Sequence, residues 1–274
     1  MEPESASAAL LIPRLTADTG ANLATIERMA LDAVSTGANL LLLPEAALTG
    51  LINNDDPAHD LRLGQTVPGP ATDRLGALCA RHGVWLGFGM LERQGRSLVD
   101  SAVLLKPDGS IALVYRRNQP QWHGPRADPA TYRQGTELPV ASTPFGTVGF
   151  LLCGDLFDDD IVARFRGLSV DWMLFPFARC FADGTADQVR WETEELPQYA
   201  QRIRMAGTPA LMVNYLADAS LGDDNSFGGA CAISATGEVV ASYRLGEEGM
   251  LIVDLGTLSD NRLRATRGSC MTST

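Results

Sequence analysis

Gly149-Phe150-Leu151-Leu152-Cys153-Gly154-Asp155 decides the reading of this chain. Val148 to Leu152 is a short unbroken apolar run, which reads as a buried strand. The strand ends on a thiol, followed by a glycine and an acidic turn. A cysteine at such a corner has backbone N–H groups near its sulfur, and those amides can hold an oxyanion. The plainer alternative is a buried structural cysteine, to which Cys79, Cys180, Cys231 and Cys270 are assigned.

Working outward, the same kind of run recurs. Ala9–Leu15, Leu40–Leu43, Val84–Gly89, Asp171–Phe175, Ala210–Asn214, Gly229–Ser234, Val239–Tyr243 and Met250–Asp254 read as strands. Helical spacing predicts helices over Asn22–Val34, closed by Gly37, over Ala71–Arg81, closed by Gly83, and over Ile161–Arg166. Val189–Met205 reads as one long helix with Pro197 inside it. Ser97–Lys106 and Ser110–Tyr115 flank Pro107-Asp108-Gly109, a hairpin signal. From Arg116 to Leu138 the chain has no period, and a loop of that length is usually functional. Alternating strands and helices interrupted by hairpins predict a mixed sheet in a single α/β domain over residues 1–258, with 259–274 as a tail.

Composition narrows the function. The 274 residues are 45% hydrophobic and 20% charged, which is ordinary globular composition. The net charge of -11 argues against nucleic acid as a partner, because phosphate binding needs a basic face. No apolar run is long enough to span a membrane, and the acidic start Met1-Glu2-Pro3-Glu4-Ser5 is unlike a signal peptide; the expected location is cytoplasmic. The five scattered cysteines suit neither a disulfide framework nor a zinc site. Asp158-Asp159-Asp160 reads as acids at a helix start rather than a metal site, and no cofactor is expected. Lys106 is the single lysine among 22 basic residues, leaving 21 arginines.

Two further stretches carry chemistry. Leu41-Leu42-Leu43-Pro44-Glu45 sets a carboxylate after a buried strand, where α/β enzymes place their sites. Tyr115-Arg116-Arg117-Asn118-Gln119 opens the long loop with paired arginines that could clamp an anion. Taken with Cys153, these stretches resemble the nitrilase (carbon–nitrogen hydrolase) superfamily: a Glu after Pro, a Lys in a Tyr-x-Lys segment, and a Cys before x-Asp. Here the matching positions are Glu45, Arg117 and Cys153, separated by 72 (117 − 45) and 36 (153 − 117) residues. Gly37-Ala38, Pro107-Asp108-Gly109 and Thr236-Gly237-Glu238 add to the match, which covers about residues 8–255. The departure is Arg117, which stands at the lysine position; Lys106 lies in the hairpin turn and cannot replace it.

The resemblance implies an α-β-β-α sandwich with mixed sheets, pairing into a homodimer or higher homo-oligomer, and hydrolysis of a non-peptide C–N bond. Cys153 would be the nucleophile, passing through a thioester, and Glu45 the general base and acid. Arg117 and the Gly154 amide would stabilise the oxyanion. Arginine keeps the charge but cannot give up a proton. Asp128 is expected as the second acid, one methylene short of Glu and so able to pair with the longer Arg117; Glu137 is the other candidate. Trp122, His123, Phe157, Phe177 and Arg179 are expected near the pocket mouth. Arg179 is placed to meet a substrate carboxylate, and His123 to supply a titratable proton. The expected substrate is a small amide or carbamoyl compound before a nitrile. The competing readings are a catalytically silent homologue that serves as a small-molecule binding or assembly module, and an acyl transferase.

Overall fold

Alternation along the first strand sets up the layers. In β1 (Ser7–Ile12), Ala8, Leu10 and Ile12 join one apolar cluster, while Ala9 and Leu11 join another. A strand sends successive side chains to opposite faces, so both faces of β1 are covered. The computed structural model describes residues 6–258. Its first half continues through β2 (Arg14–Leu15), α1 (Thr19–Ser35), β3 (Leu40–Leu42), α2 (Pro57–Asp60), α3 (Pro70–His82), β4 (Trp85–Gln94), β5 (Ser97–Leu105) and β6 (Ile111–Arg116). The second half holds β7 (Val140–Thr143), β8 (Gly146–Phe150), α4 (Asp159–Gly167), β9 (Trp172–Pro176), α5 (Gln188–Arg190), a π-helical turn over Trp191–Glu195, and α6 (Leu196–Ala206). It closes with β10 (Ala210–Val213), β11 (Leu216–Ala217), β12 (Ala230–Ile233), β13 (Val239–Tyr243) and β14 (Gly249–Asp254).

Two six-stranded sheets result, ordered β14-β1-β3-β4-β5-β6 and β13-β12-β10-β9-β8-β7. Three parallel strands lie inside each: β1, β3 and β4 in the first, β8, β9 and β10 in the second. The remaining pairings are antiparallel. The halves therefore share one plan, a repeat of architecture that the sequence does not display. One face of the first sheet packs on α1 and α3 through Ile26, Met29, Leu75 and Leu78. Its other face meets the second sheet, whose far side carries α4 and α6 through Ile161, Phe165, Tyr199 and Ile203. This is the α-β-β-α mixed-sheet sandwich, in a single domain, that the family resemblance implies.

Local chemistry explains the element ends. Asp18 caps α1 by accepting from the N–H groups of Gly20 and Ala21 at 2.8 and 3.0 Å. Gly83, at φ 67°, closes α3 in the left-handed conformation. Asp158 accepts from the N–H groups of Asp160 and Ile161 and starts α4, as the acidic run suggests. Three predictions need correction. The strand expected over Ala9–Leu15 breaks at Pro13, which has no N–H to donate to a ladder. The helix expected over Val189–Met205 is interrupted by the π turn, where the Leu196 N–H reaches the Trp191 carbonyl. The edge strand β7, half exposed and lacking a clean apolar alternation, went unpredicted. The expected tail, 259–274, lies outside the described residues. Among the described residues, no helix is long and apolar enough to cross a membrane.

Candidate active site

The three motif residues arrive from three strand ends. Glu45 follows β3, Arg117 follows β6, and Cys153 follows β8. Two of the corners have unusual backbone. Cys153 itself has φ 40°, and Ala46, next to Glu45, has φ 46°. A non-glycine residue in that region is held there by its surroundings, and such residues concentrate at functional sites. Gly89 of β4 is what lets the Glu45 corner pack: a Cβ there would come within 2.5 Å of the Glu45 Cα.

Asp155 fastens the Cys153 corner. Its carboxylate accepts from the N–H groups of Leu152, Asn118 and Gln119 at 2.9, 3.1 and 2.8 Å, and from the Tyr115 hydroxyl at 2.6 Å. Tyr115, Asn118 and Gln119 bracket Arg117, so one buried carboxylate ties the arginine loop to the cysteine turn. Burial raises the Asp155 carboxyl to about 6 despite these four donors.

Behind the thiol lies a closed ionic cluster. Arg117 Nη1 donates to Glu45 Oε1 at 2.8 Å and to Asp100 Oδ2 at 3.3 Å, and Nη2 donates to Gln119 Oε1 at 3.0 Å. Glu45 and Asp100 are 0% exposed and Arg117 2%, so no water screens the cluster. The Glu45 carboxyl is raised to about 8, first by burial and then by Cys153, with Arg117 pulling the other way. The arginine stays charged; its neighbouring acids hold it even above the usual guanidinium range. A Cβ on Gly154 would press on Arg117 Nη2 and Gln119 Oε1, so glycine leaves these two side-chain ends room against the cysteine turn. The Cys153 thiol donates to the Ala178 carbonyl at 3.5 Å.

Cys153 and Gly154 floor a pocket of about 570 Å³, walled by Gln119, Gln121, Phe157, Asp158, Ala178, Arg179, Glu195, Gln198 and Tyr199. Most of these groups are polar. Arg179 lines the pocket and is gripped by Glu195 from the π turn, with Nε to Oε2 at 2.7 Å.

The structure brings together Glu45, Arg117, Cys153 and Gly154, and it puts Phe157 and Arg179 on the pocket wall. It does not bring Asp128 or Glu137 to Arg117. Asp128 is exposed and caps its own turn, accepting from the Ala130 N–H and Thr131 Oγ1. Glu137 is exposed, and its backbone carbonyl receives Asn118 Nδ2. Trp122 and Phe177 are buried in aromatic clusters rather than lining the pocket, because burial of a large ring outweighs its use at a wet rim. His123 packs on Trp122 and meets Gln134 Nε2 through its own Nε2. Sequence reasoning missed Asp100, Gln119, Tyr199 and Glu195. Asp100 sits inside a strand with no motif around it, so only its position opposite Arg117 marks it. Among the described residues, no group of three or more histidine, cysteine, aspartate or glutamate side chains could hold a metal.

Comparison with known proteins identifies the fold and the family. Nitrilase 3 of Arabidopsis thaliana is 26% identical over 266 residues, covering 87% of this chain and 75% of its own. Nitrilase 1 of the same plant is 24% identical, covering 90% and 78%. A carbon-nitrogen hydrolase from Helicobacter pylori G27 superposes with a TM-score of 0.79 at 18% identity, over 97% of this chain and 95% of that one. The amidase from Nesterenkonia sp. AN1, in a mutant showing the result of Michael addition of acrylamide at the active site cysteine, gives 0.74 at 22%, over 96% and 99%. The carbon-nitrogen hydrolase family profile matches residues 6–261, and with that match over nearly the whole length the chain belongs to the carbon-nitrogen hydrolase family, within the nitrilase superfamily.

Proposed function

We propose that this protein hydrolyses a small amide or carbamoyl compound through a Cys153 thioester. The observation that carries the reading is the packing of the Glu45–Arg117 pair directly behind Cys153, which lines the pocket, with the Glu45 carboxyl raised to about 8. A base is most effective when its proton affinity lies near the working pH. Glu45 takes the thiol proton as sulfur attacks the carbonyl carbon. The negative charge forming on oxygen meets the Gly154 N–H and the field of Arg117. Glu45 returns the proton to the departing nitrogen, and ammonia or an amine leaves. Glu45 then deprotonates a water that cleaves the thioester, freeing the acid and the thiol. Arg117 acts through charge and position alone, since a guanidinium does not give up its proton.

An amide or carbamoyl group is favoured over a nitrile by the amide- and charge-bearing wall, Gln119, Gln121, Gln198, Arg179 and Glu195. Phe157 and Arg179 are the substrate contacts we assign, with Arg179 suited to a carboxylate on the substrate. A second reading, a silent homologue that only binds, is favoured by one observation: Arg117 already occupies one oxygen of the base. Exposed Leu168 and Met205 on the α4–α6 side support pairing of two chains there, which sedimentation would check.

Ammonia release across small amides, carbamoyl amino acids and nitriles tests the reading, with wild type beside Cys153→Ala and Arg117→Lys. The expected result is release by wild type that vanishes in Cys153→Ala. A silent wild type with an active Arg117→Lys would instead establish the binding module, with the arginine as the change that silenced it.

A further inference from the structure

Two carboxyl groups and one guanidinium share the closed space behind the thiol. Arg117 Nη1 lies within hydrogen-bonding distance of both Glu45 Oε1 and Asp100 Oδ2, at 2.8 and 3.3 Å. The other two oxygens, Glu45 Oε2 and Asp100 Oδ1, are buried without a hydrogen-bond partner among the described residues. Ionised carboxylates only accept, so neither can satisfy the other. Two buried negative charges against one positive charge also leave a net charge that no water screens. One proton resolves both problems, because it removes a charge and turns one carboxyl into a donor.

The cluster discriminates between the two possible holders. Glu45 has the shorter bond to the guanidinium, which favours its ionised form. Asp100 is held at 3.3 Å on the interior strand β5, between β4 and β6. Burial and the adjacent Glu45 push the Asp100 carboxyl well above the usual range, whereas the adjacent Asp100 carboxyl eases the ionisation of Glu45. The charged and titratable groups facing Glu45 from the surrounding elements are Arg117, Cys153 and Tyr199, with Asp155 beyond Arg117. None of them supplies the missing donor to Asp100.

The geometry points to Asp100 as a protonated positioning residue, which donates its hydrogen bond to Glu45, accepts one from Arg117, and so aligns the base for the thiol. This rests on the assignment of Glu45 as base made above. The proton balance is simple. Glu45 receives the Cys153 proton and passes it to the leaving nitrogen, while Asp100 keeps its own proton throughout. The arrangement also explains how an arginine fits here: Glu45, Gln119 and Asp100 accept from its fork, and Asp100 does so while adding no charge.

The test follows iodoacetamide alkylation of Cys153 against pH, read by peptide mass spectrometry in wild type, Asp100→Asn, Asp100→Ala and Glu45→Gln. Asparagine reproduces a neutral acid, with an N–H for Glu45 and a carbonyl for Arg117. The expected result is an Asp100→Asn profile with its midpoint at the wild-type position. Asp100→Ala takes the donor from Glu45, so its midpoint moves to higher pH and the neutral-pH rate drops about tenfold per unit moved. Rescue by asparagine of what alanine loses separates positioning from mere packing. A midpoint that moves down by about a unit or more in Asp100→Asn would mean a negative charge had been removed, and the inference would be overturned. Alanine behaving as wild type would overturn it too. If Asp100→Ala does not fold by its melting curve, Asp100→Asn decides alone. Glu45→Gln separates the two levels. A profile untouched by Glu45→Gln means Glu45 is not the base, and both readings fall; a profile abolished by it while the Asp100 variants disagree sinks the Asp100 assignment alone.

Discussion

At the scale of the residue, the site is a problem in buried charge. The Glu45–Asp100 pair holds a proton in the fold that it would have lost in the unfolded chain, and the Glu45 carboxyl itself is raised from 4.5 to about 8. Stability from this source is fully present below 4.5 and is lost as pH rises through about 8. Glu45→Gln stays neutral, so the melting temperature of wild type relative to this variant should fall across that window; a difference independent of pH would contradict the shift. Arg117→Ala leaves two carboxyls without their cation and should cost about 3–5 kcal/mol in urea unfolding, as does breaking other buried ion pairs. The thiols divide by burial. Cys79 and Cys231 are pushed up to about 12, so iodoacetamide at neutral pH should label Cys153 well before either. Glu45, Arg117 and Cys153 were legible in the sequence because each follows a recognisable strand or motif. Asp100 was not, because a lone acid in Ser97-Leu98-Val99-Asp100 gains meaning only from what faces it across the sheet.

At the scale of the element, the corners do the positioning. Gly154 leaves the ends of Arg117 and Gln119 room to close on the cysteine turn. Gly154→Ala should retain the fold and lower kcat by on the order of a hundredfold, the cost of displacing a catalytic group by about 1 Å. Steady-state kinetics with circular dichroism would check both parts. The interrupted helix is the second device. Pro197 has no N–H to complete an α-helical ladder, and the preceding turn widens so that Leu196 reaches back to Trp191. That turn ends on Glu195, which grips Arg179 on the pocket wall. The sequence showed the proline but not the register that follows from it, since apolar spacing is read at a fixed period and a π turn shifts the period by one residue.

At the scale of the whole molecule, two like-built sheets press their inner faces together, and the parallel strands at their centres supply the corners for Glu45 and Cys153. Leu174 in β9 is 0% exposed at the heart of the second sheet, so Leu174→Ala should cost about 2–5 kcal/mol by equilibrium unfolding. The sequence by itself determined the mixed α/β class, the strand ends that carry Glu45, Arg117 and Cys153, and the motifs on which the family resemblance, and with it the layered sandwich, rests. Each of these follows from local periodicity, turn chemistry and short motifs, which need only neighbours along the chain. Only the tertiary structure decided that Asp100, not Asp128, accompanies Arg117, that Glu195 faces Arg179, and that Trp122 and Phe177 belong to the core rather than the pocket. These depend on burial and on distances between residues far apart in the chain. Desolvation and Coulomb interaction act through space, and a linear reading does not contain those distances.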